Sequence, residues 1–64
     1  MFKNLKAEMI IQGVTIQDIA TALGIQVDSA RLKINGKVGI AISDCKKIAQ
    51  LFTEKKSVDY LFDQ

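Results

Sequence analysis

Residues 15–36, TIQDIATALGIQVDSARLKING, constrain the fold more than any other stretch. Two short amphipathic segments lie here, joined by a single glycine. Ile16, Ile19, Ala20 and Leu23 recur at i, i+3, i+4 and i+7, which gathers them on one face of a helix over 15–23. Gly24 closes that helix, because glycine enters the left-handed region without a side-chain clash. Ile25 follows as an apolar plug. A second helical stretch runs from about 26 to 34, and Asn35-Gly36 stops it in the same way. Two short helices on a tight turn, the second presenting polar groups, have the outline of a helix-turn-helix. An ordinary pair of antiparallel helices with no nucleic-acid role shares that outline.

The local chemistry is more specific than the outline. Thr15 is a good N-cap, and Asp18 three residues on completes an aspartate form of the capping box. Val14 and Ile19 are spaced for a hydrophobic staple across the helix start. Ala20 falls where the second helix must cross closest, so a larger side chain would push the two apart. Ala20, Leu23, Gly24 and Ala30 together therefore set a steric requirement.

The 64 residues suit one small domain over 1–64, near the lower size limit for a self-sufficient core. An apolar fraction of 48%, few glycines and no proline supply that core and argue against disorder. No apolar run is long enough for a membrane span, and no secretory leader is expected. Cys45 stands alone, so no internal disulfide can form, and a cytoplasmic protein is expected. The net charge of +2 is uninformative by itself, but its distribution is not. Residues 1–25 cancel, as do residues 43–64. The excess is Arg31, Lys33 and Lys37 against Asp28, on the second motif helix and the loop after it. Phosphate contact requires a basic bias at such a place.

Outside the motif, a first helix is expected from Phe2 or Lys3 to Gln12, with Phe2, Leu5, Met9 and Ile10 inward. Gly13 closes it, and Ile11 is expected against the C-terminal segment. Residues 37–42, KVGIAI, would make a strand without a partner and are read as an ordered loop, with Val38 and Ile40 tucked onto the bundle. Ser43 is the expected cap of a fourth helix whose Cys45, Ile48, Ala49 and Phe52 face inward, with Asp44 favourable in its first turn. Lys46, Lys47, Lys55 and Lys56 read as a solvated face. Ser57 caps a short last helix, 58–62, and its Val58, Leu61 and Phe62 seal the bundle. The fold class is all-α, a compact bundle of four to five short helices.

The run T-x-x-D-I-A-x-x-L-G-I, then K-I-N-G-K, and the closing S-V-D-Y-L-F resemble the DNA-binding domain of phage repressors and Cro proteins, the lambda-repressor-like family. Thr15, Ala20, Gly24 and Asn35-Gly36 carry most of the likeness, which spans nearly the whole chain. The resemblance implies a helix-turn-helix whose second helix enters the major groove of an operator, as a homodimer on two-fold DNA. The family's groove-facing positions fall on Gln26, Val27, Asp28, Arg31 and Leu32. Gln17, Lys33, Asn35 and Lys37 are the flanking candidates for phosphate. The chain departs from the pattern in places. Ile16 stands where the family often has glutamine, with Gln17 one step later, and Gln26 is a poor cap. Gln26 and Arg31 suit base edges, Asp28 could accept from cytosine while repelling phosphate, and Val27 and Leu32 could touch only thymine methyls. An apolar Val27–Leu32 surface beside Ile16 leaves a second reading open, in which this helix binds another regulatory protein.

Other chemistry is not proposed by the residues. Without histidine, and with one cysteine, the common zinc sites and a paired catalytic thiol are excluded. The seven carboxylates are scattered, and the glycines make no phosphate-cradling loop. No enzyme activity, cofactor, metal or small-molecule substrate is expected.

Overall fold

The helix punctuation in the sequence is used almost residue for residue in the computed structural model, which describes residues 2–63. Helices α1 (Lys3–Gln12), α2 (Ile16–Leu23), α3 (Val27–Ile34), α4 (Ile42–Ala49) and α5 (Val58–Leu61) make up the fold, and no strand occurs among the described residues. None of the helices is long and apolar enough to cross a membrane.

The capping box at α2 is complete. The Asp18 N–H donates to Thr15 Oγ1 at 3.1 Å, and the Thr15 N–H donates to Asp18 Oδ2 at 2.9 Å. At the other end Gly24 takes φ 69°, and the Ile25 N–H reaches back to the Ala20 carbonyl at 3.0 Å. That wrap satisfies carbonyls the helix leaves open and turns Ile25 under the bundle. Helix α3 closes the same way through Gly36 at φ 74°, with Lys37 N–H donating to the Leu32 carbonyl at 2.9 Å. Asn35 stays right-handed, so the left-handed residue of the Asn-Gly pair is the glycine alone.

The core is drawn from every helix. Leu5, Ile19, Ala30, Ile48, Phe52 and Leu61 are completely buried, with Phe2, Ala20, Ile34 and Cys45 close to it. Val14 and Ile16 pack at its edge, so the staple residues share one cluster with Ile19. Phe2 and Phe62 meet edge to face at a centroid distance of 5.1 Å, joining the first and last helices. Cys45 is a buried small hydrophobe, and burial, followed by the neighbouring Asp44 charge, raises its thiol pKa.

Helix α1 departs from its expected orientation. Phe2, Leu5 and Met9 are inside, but Ile10 is 83% and Ile11 72% exposed. Consecutive helix positions are about 100° apart, so Ile10 cannot share the Leu5–Met9 stripe. The remaining inward positions go to Glu8 and Gln12. Gln12 Nε2 donates to Glu8 Oε1 at 2.8 Å and to the Glu54 carbonyl at 3.0 Å, and Gln12 Oε1 accepts from the Glu54 N–H at 2.9 Å. Polar contacts thus hold Glu54, and Ile11, expected against the C-terminal segment, is left exposed. Helix α4 also differs, beginning at Ile42 with Ala41 as its N-cap and no side-chain cap. Ser43 therefore sits inside the first turn, and Asp44 beside it pairs with Lys33 of α3 at 3.5 Å. That tertiary ion pair ties the helix start where a local cap was expected. In the preceding loop Ile40 packs on the core, whereas Val38 is 46% exposed. Ser57 caps α5 as expected, accepting from the Tyr60 N–H at 3.1 Å, and Phe62 follows the helix end.

Candidate nucleic-acid interface

Helix α3 is divided by its own periodicity. Ala30 and Ile34 are buried, and Val27 is half-buried against the core, which defines an inward stripe at i, i+3 and i+7. Asp28, Ser29, Arg31 and Leu32 are left on the outward side, all exposed. Gln26 precedes them in extended backbone and makes no side-chain cap bond, so its amide is not consumed by the helix end. Ala20 of α2 is 1% and Ala30 of α3 0% exposed, both in one core cluster. Packing against that core braces a helix of eight residues, too short to hold itself.

The charges are more balanced than the chain order suggests. Arg31 Nη1 donates to Asp28 Oδ1 at 3.1 Å, one turn away, with side chains 52% and 91% exposed. Such a solvated pair is worth roughly 0–1 kcal/mol, so Arg31 can leave it at small cost. Lys33 is turned from the outward face toward the α3–α4 loop. Its ammonium meets Asp44 Oδ2 at 3.5 Å and donates to the Gly39 carbonyl at 3.4 Å, and both partners of the ion pair are mostly covered. Asp44 thus joins Asp28 against Arg31, Lys33 and Lys37. Lys37, just past the Gly36 turn, is exposed and makes no ion pair among the described residues.

Of the candidates read from the sequence, Gln26, Asp28, Arg31, Leu32 and Lys37 are exposed along α3 and the turn after it. Val27 is not, since its side chain belongs to the inward stripe, and Ile16 likewise packs on the core. As half-buried residues, Val27 and Ile16 keep part of their surface in contact with solvent, and Leu32 is 46% exposed. Asn35 is half-buried. Gln17 is exposed on α2, where its Nε2 donates to Thr21 Oγ1 at 3.3 Å. Ser29 was missed. Its place beside Asp28, one short of the buried Ala30, would have marked it as outward.

Among the described residues no group of three or more histidine, cysteine, aspartate or glutamate side chains is placed to hold a metal ion. An apolar groove of about 390 Å³ lies away from the outward face of α3, between α1, the start of α2 and Ile34. No protein-family model, curated protein or solved structure matches the chain.

Proposed function

We propose that this chain is a sequence-specific DNA-binding regulator of the phage repressor and Cro type, acting in the cytoplasm as a homodimer on a two-fold operator. One observation carries the reading. The outward face of α3 offers Gln26, Asp28, Ser29 and Arg31, hydrogen-bonding side chains that are all exposed and have no part in the core. Side chains of this kind match the donor and acceptor pattern of base edges in the major groove. Lys37 and the turn at Gly36 then come beside the backbone, where a cation gains by releasing condensed counterions. The dimer follows from size, because one helix of this length covers too few base pairs for tight specific binding. A protein anchor on α3, the other reading, would rest mainly on Leu32, since Val27 is half-buried against the core.

Selection of duplexes from a random pool, at a stated low salt concentration, is the direct test. Wild-type protein is expected to enrich a two-fold site, and Arg31→Ala to relax one position of each half-site. A good arginine–guanine pair contributes about 1–3 kcal/mol of discrimination. If no sequence is enriched and no duplex is retained at low salt, the reading is overturned. Unchanged preference with weaker binding to every sequence would make Arg31 a phosphate contact.

A further inference from the structure

Leu32 is a large apolar side chain that α3 leaves exposed, while Val27 is half-buried and Ile34 buried. Its neighbours in the preceding turn, Asp28 and Ser29, are exposed and polar, as is Arg31 beside it. Side chains three and four positions apart share a helix face at about 5–6 Å, so Leu32 stands over Asp28 and Ser29. Its carbonyl accepts from the Lys37 N–H at 2.9 Å across the Gly36 turn, which fixes the backbone that carries it. The outward face of α3 therefore sets one apolar group among a carboxylate, a hydroxyl and a guanidinium.

On a duplex, those neighbours decide which part of the DNA Leu32 meets. The Asp28 side chain is 91% exposed, and its charge repels phosphate. That part of the face is therefore favourable toward base edges and unfavourable toward the sugar–phosphate backbone. Asp28 Oδ1 also holds Arg31 Nη1 at 3.1 Å, which leaves the rest of the guanidinium fork for a guanine. Leu32, one turn from Asp28, goes into the groove with both. The apolar group on major-groove edges is the methyl at C5 of thymine, and cytosine carries the same group when methylated there. In both bases the methyl adjoins a polar group at C4, an acceptor oxygen in thymine and a donor amine in cytosine. Ser29 can donate to the first and Asp28 accept from the second, each within one turn of Leu32.

We infer that Leu32 is a specificity-determining residue that reads the C5-methyl group of a pyrimidine in the operator, thymine or 5-methylcytosine. The inference rests on the DNA-binding reading of α3. Its test uses the duplex selected by the wild-type chain, with deoxyuridine replacing each thymine in turn and 5-methylcytosine each cytosine in turn. The first change removes only the methyl group and the second adds only that group, so base pairing is kept. Dissociation constants at fixed salt are compared for wild type and Leu32→Ala, with circular dichroism to check that the variant keeps its helix content. Deoxyuridine at one position of a half-site is expected to weaken wild-type binding about four-fold, or 5-methylcytosine at one position to tighten it as much. That factor corresponds to about 0.8 kcal/mol for one buried methyl group. A loss with deoxyuridine names thymine as the base read, and a gain with 5-methylcytosine names the methylated base. Leu32→Ala is expected to be indifferent to both changes. A methyl effect of full size in Leu32→Ala overturns the inference, as does a wild-type chain indifferent to every replacement. In both cases a site has still been selected, and the DNA-binding reading stands. A wild-type chain that selects and retains no duplex at low salt overturns the two together.

Discussion

Ala20 is 1% exposed within the core, on the face of α2 where α3 is expected to cross closest. Ala20→Leu adds volume there, and overpacking of this kind costs about 1–3 kcal/mol. In a domain of this size each kcal/mol lowers the melting temperature by about 4–8 °C. An unmoved melting temperature would mean that the helices do not cross there. Lys37 is a residue of the opposite sort, exposed and without an ion pair among the described residues. If it meets phosphate, Lys37→Ala is expected to weaken binding to all duplexes about equally and to flatten the salt dependence by roughly 0.9 in log–log slope. A slope equal to that of wild type would remove Lys37 from the backbone contacts. Lys33 is not expected to contribute as much, because it must first leave Asp44 and the Gly39 carbonyl.

Among the elements, α2 is the most completely specified by its own sequence. It has a reciprocal cap at one end and a glycine wrap at the other, and its apolar face runs without interruption between them. Thr15→Ala removes the acceptor for the Asp18 N–H and is expected to cost about 1 kcal/mol, read from urea unfolding. Thr15→Ser keeps the acceptor and is expected to restore most of it, an outcome that a loss of methyl packing would not produce. Helix α3 lacks a side-chain cap and depends on Ala30 and Ile34 being seated in the core. Its outward residues are thereby free of any folding role, which is the condition for them to be chosen by a ligand. Helix α4 is also started without a side-chain cap, and the Lys33–Asp44 pair links its first turn to α3.

For the whole molecule, closure depends on joining the two ends of the chain. Phe2 and Phe62 do so in the core, and Asn4 Nδ2 donates to the Tyr60 carbonyl at 2.9 Å at the surface. Gln12 does it at the far end of α1, engaging both the N–H and the carbonyl of Glu54 while also donating to the buried Glu8 carboxylate. Gln12→Ala removes all of these bonds and takes from Glu8 its Gln12 donor. The expected cost is about 1–3 kcal/mol, with the amides of residues 53–57 exchanging faster than the rest. Gln12→Glu, which cannot donate to Glu8 when ionised, is expected to be at least as damaging. Stability and exchange both equal to wild type would show that Gln12 does not hold this segment.

Local order along the chain was legible because its causes are local. A threonine three residues before an aspartate, or a glycine after an apolar face, acts within one turn of helix. So the α2 capping box, the Gly24 and Gly36 closures, the Ser57 cap and the buried stripes of α2, α3 and α4 could be read from spacing alone. The orientation of α1 could not be read so, because its isoleucines satisfy two helical faces almost equally and only the neighbouring segments select one. Gln12 is held by the backbone of Glu54, forty-two positions away, and in turn donates to Glu8, which could not be foreseen from α1 itself. The same holds at the candidate interface. The outward set Asp28, Arg31 and Leu32 follows from the 3.6-residue period. Val27 also falls inward by that period, with Ala30 and Ile34, whereas Lys33 turning toward Asp44 was decided by what packs beside α3. Sequence alone determined where each helix begins to be possible and what its faces carry. Tertiary structure decided which face each helix buries and which charges meet, because burial and pairing energies depend on neighbours that the chain brings together only on folding.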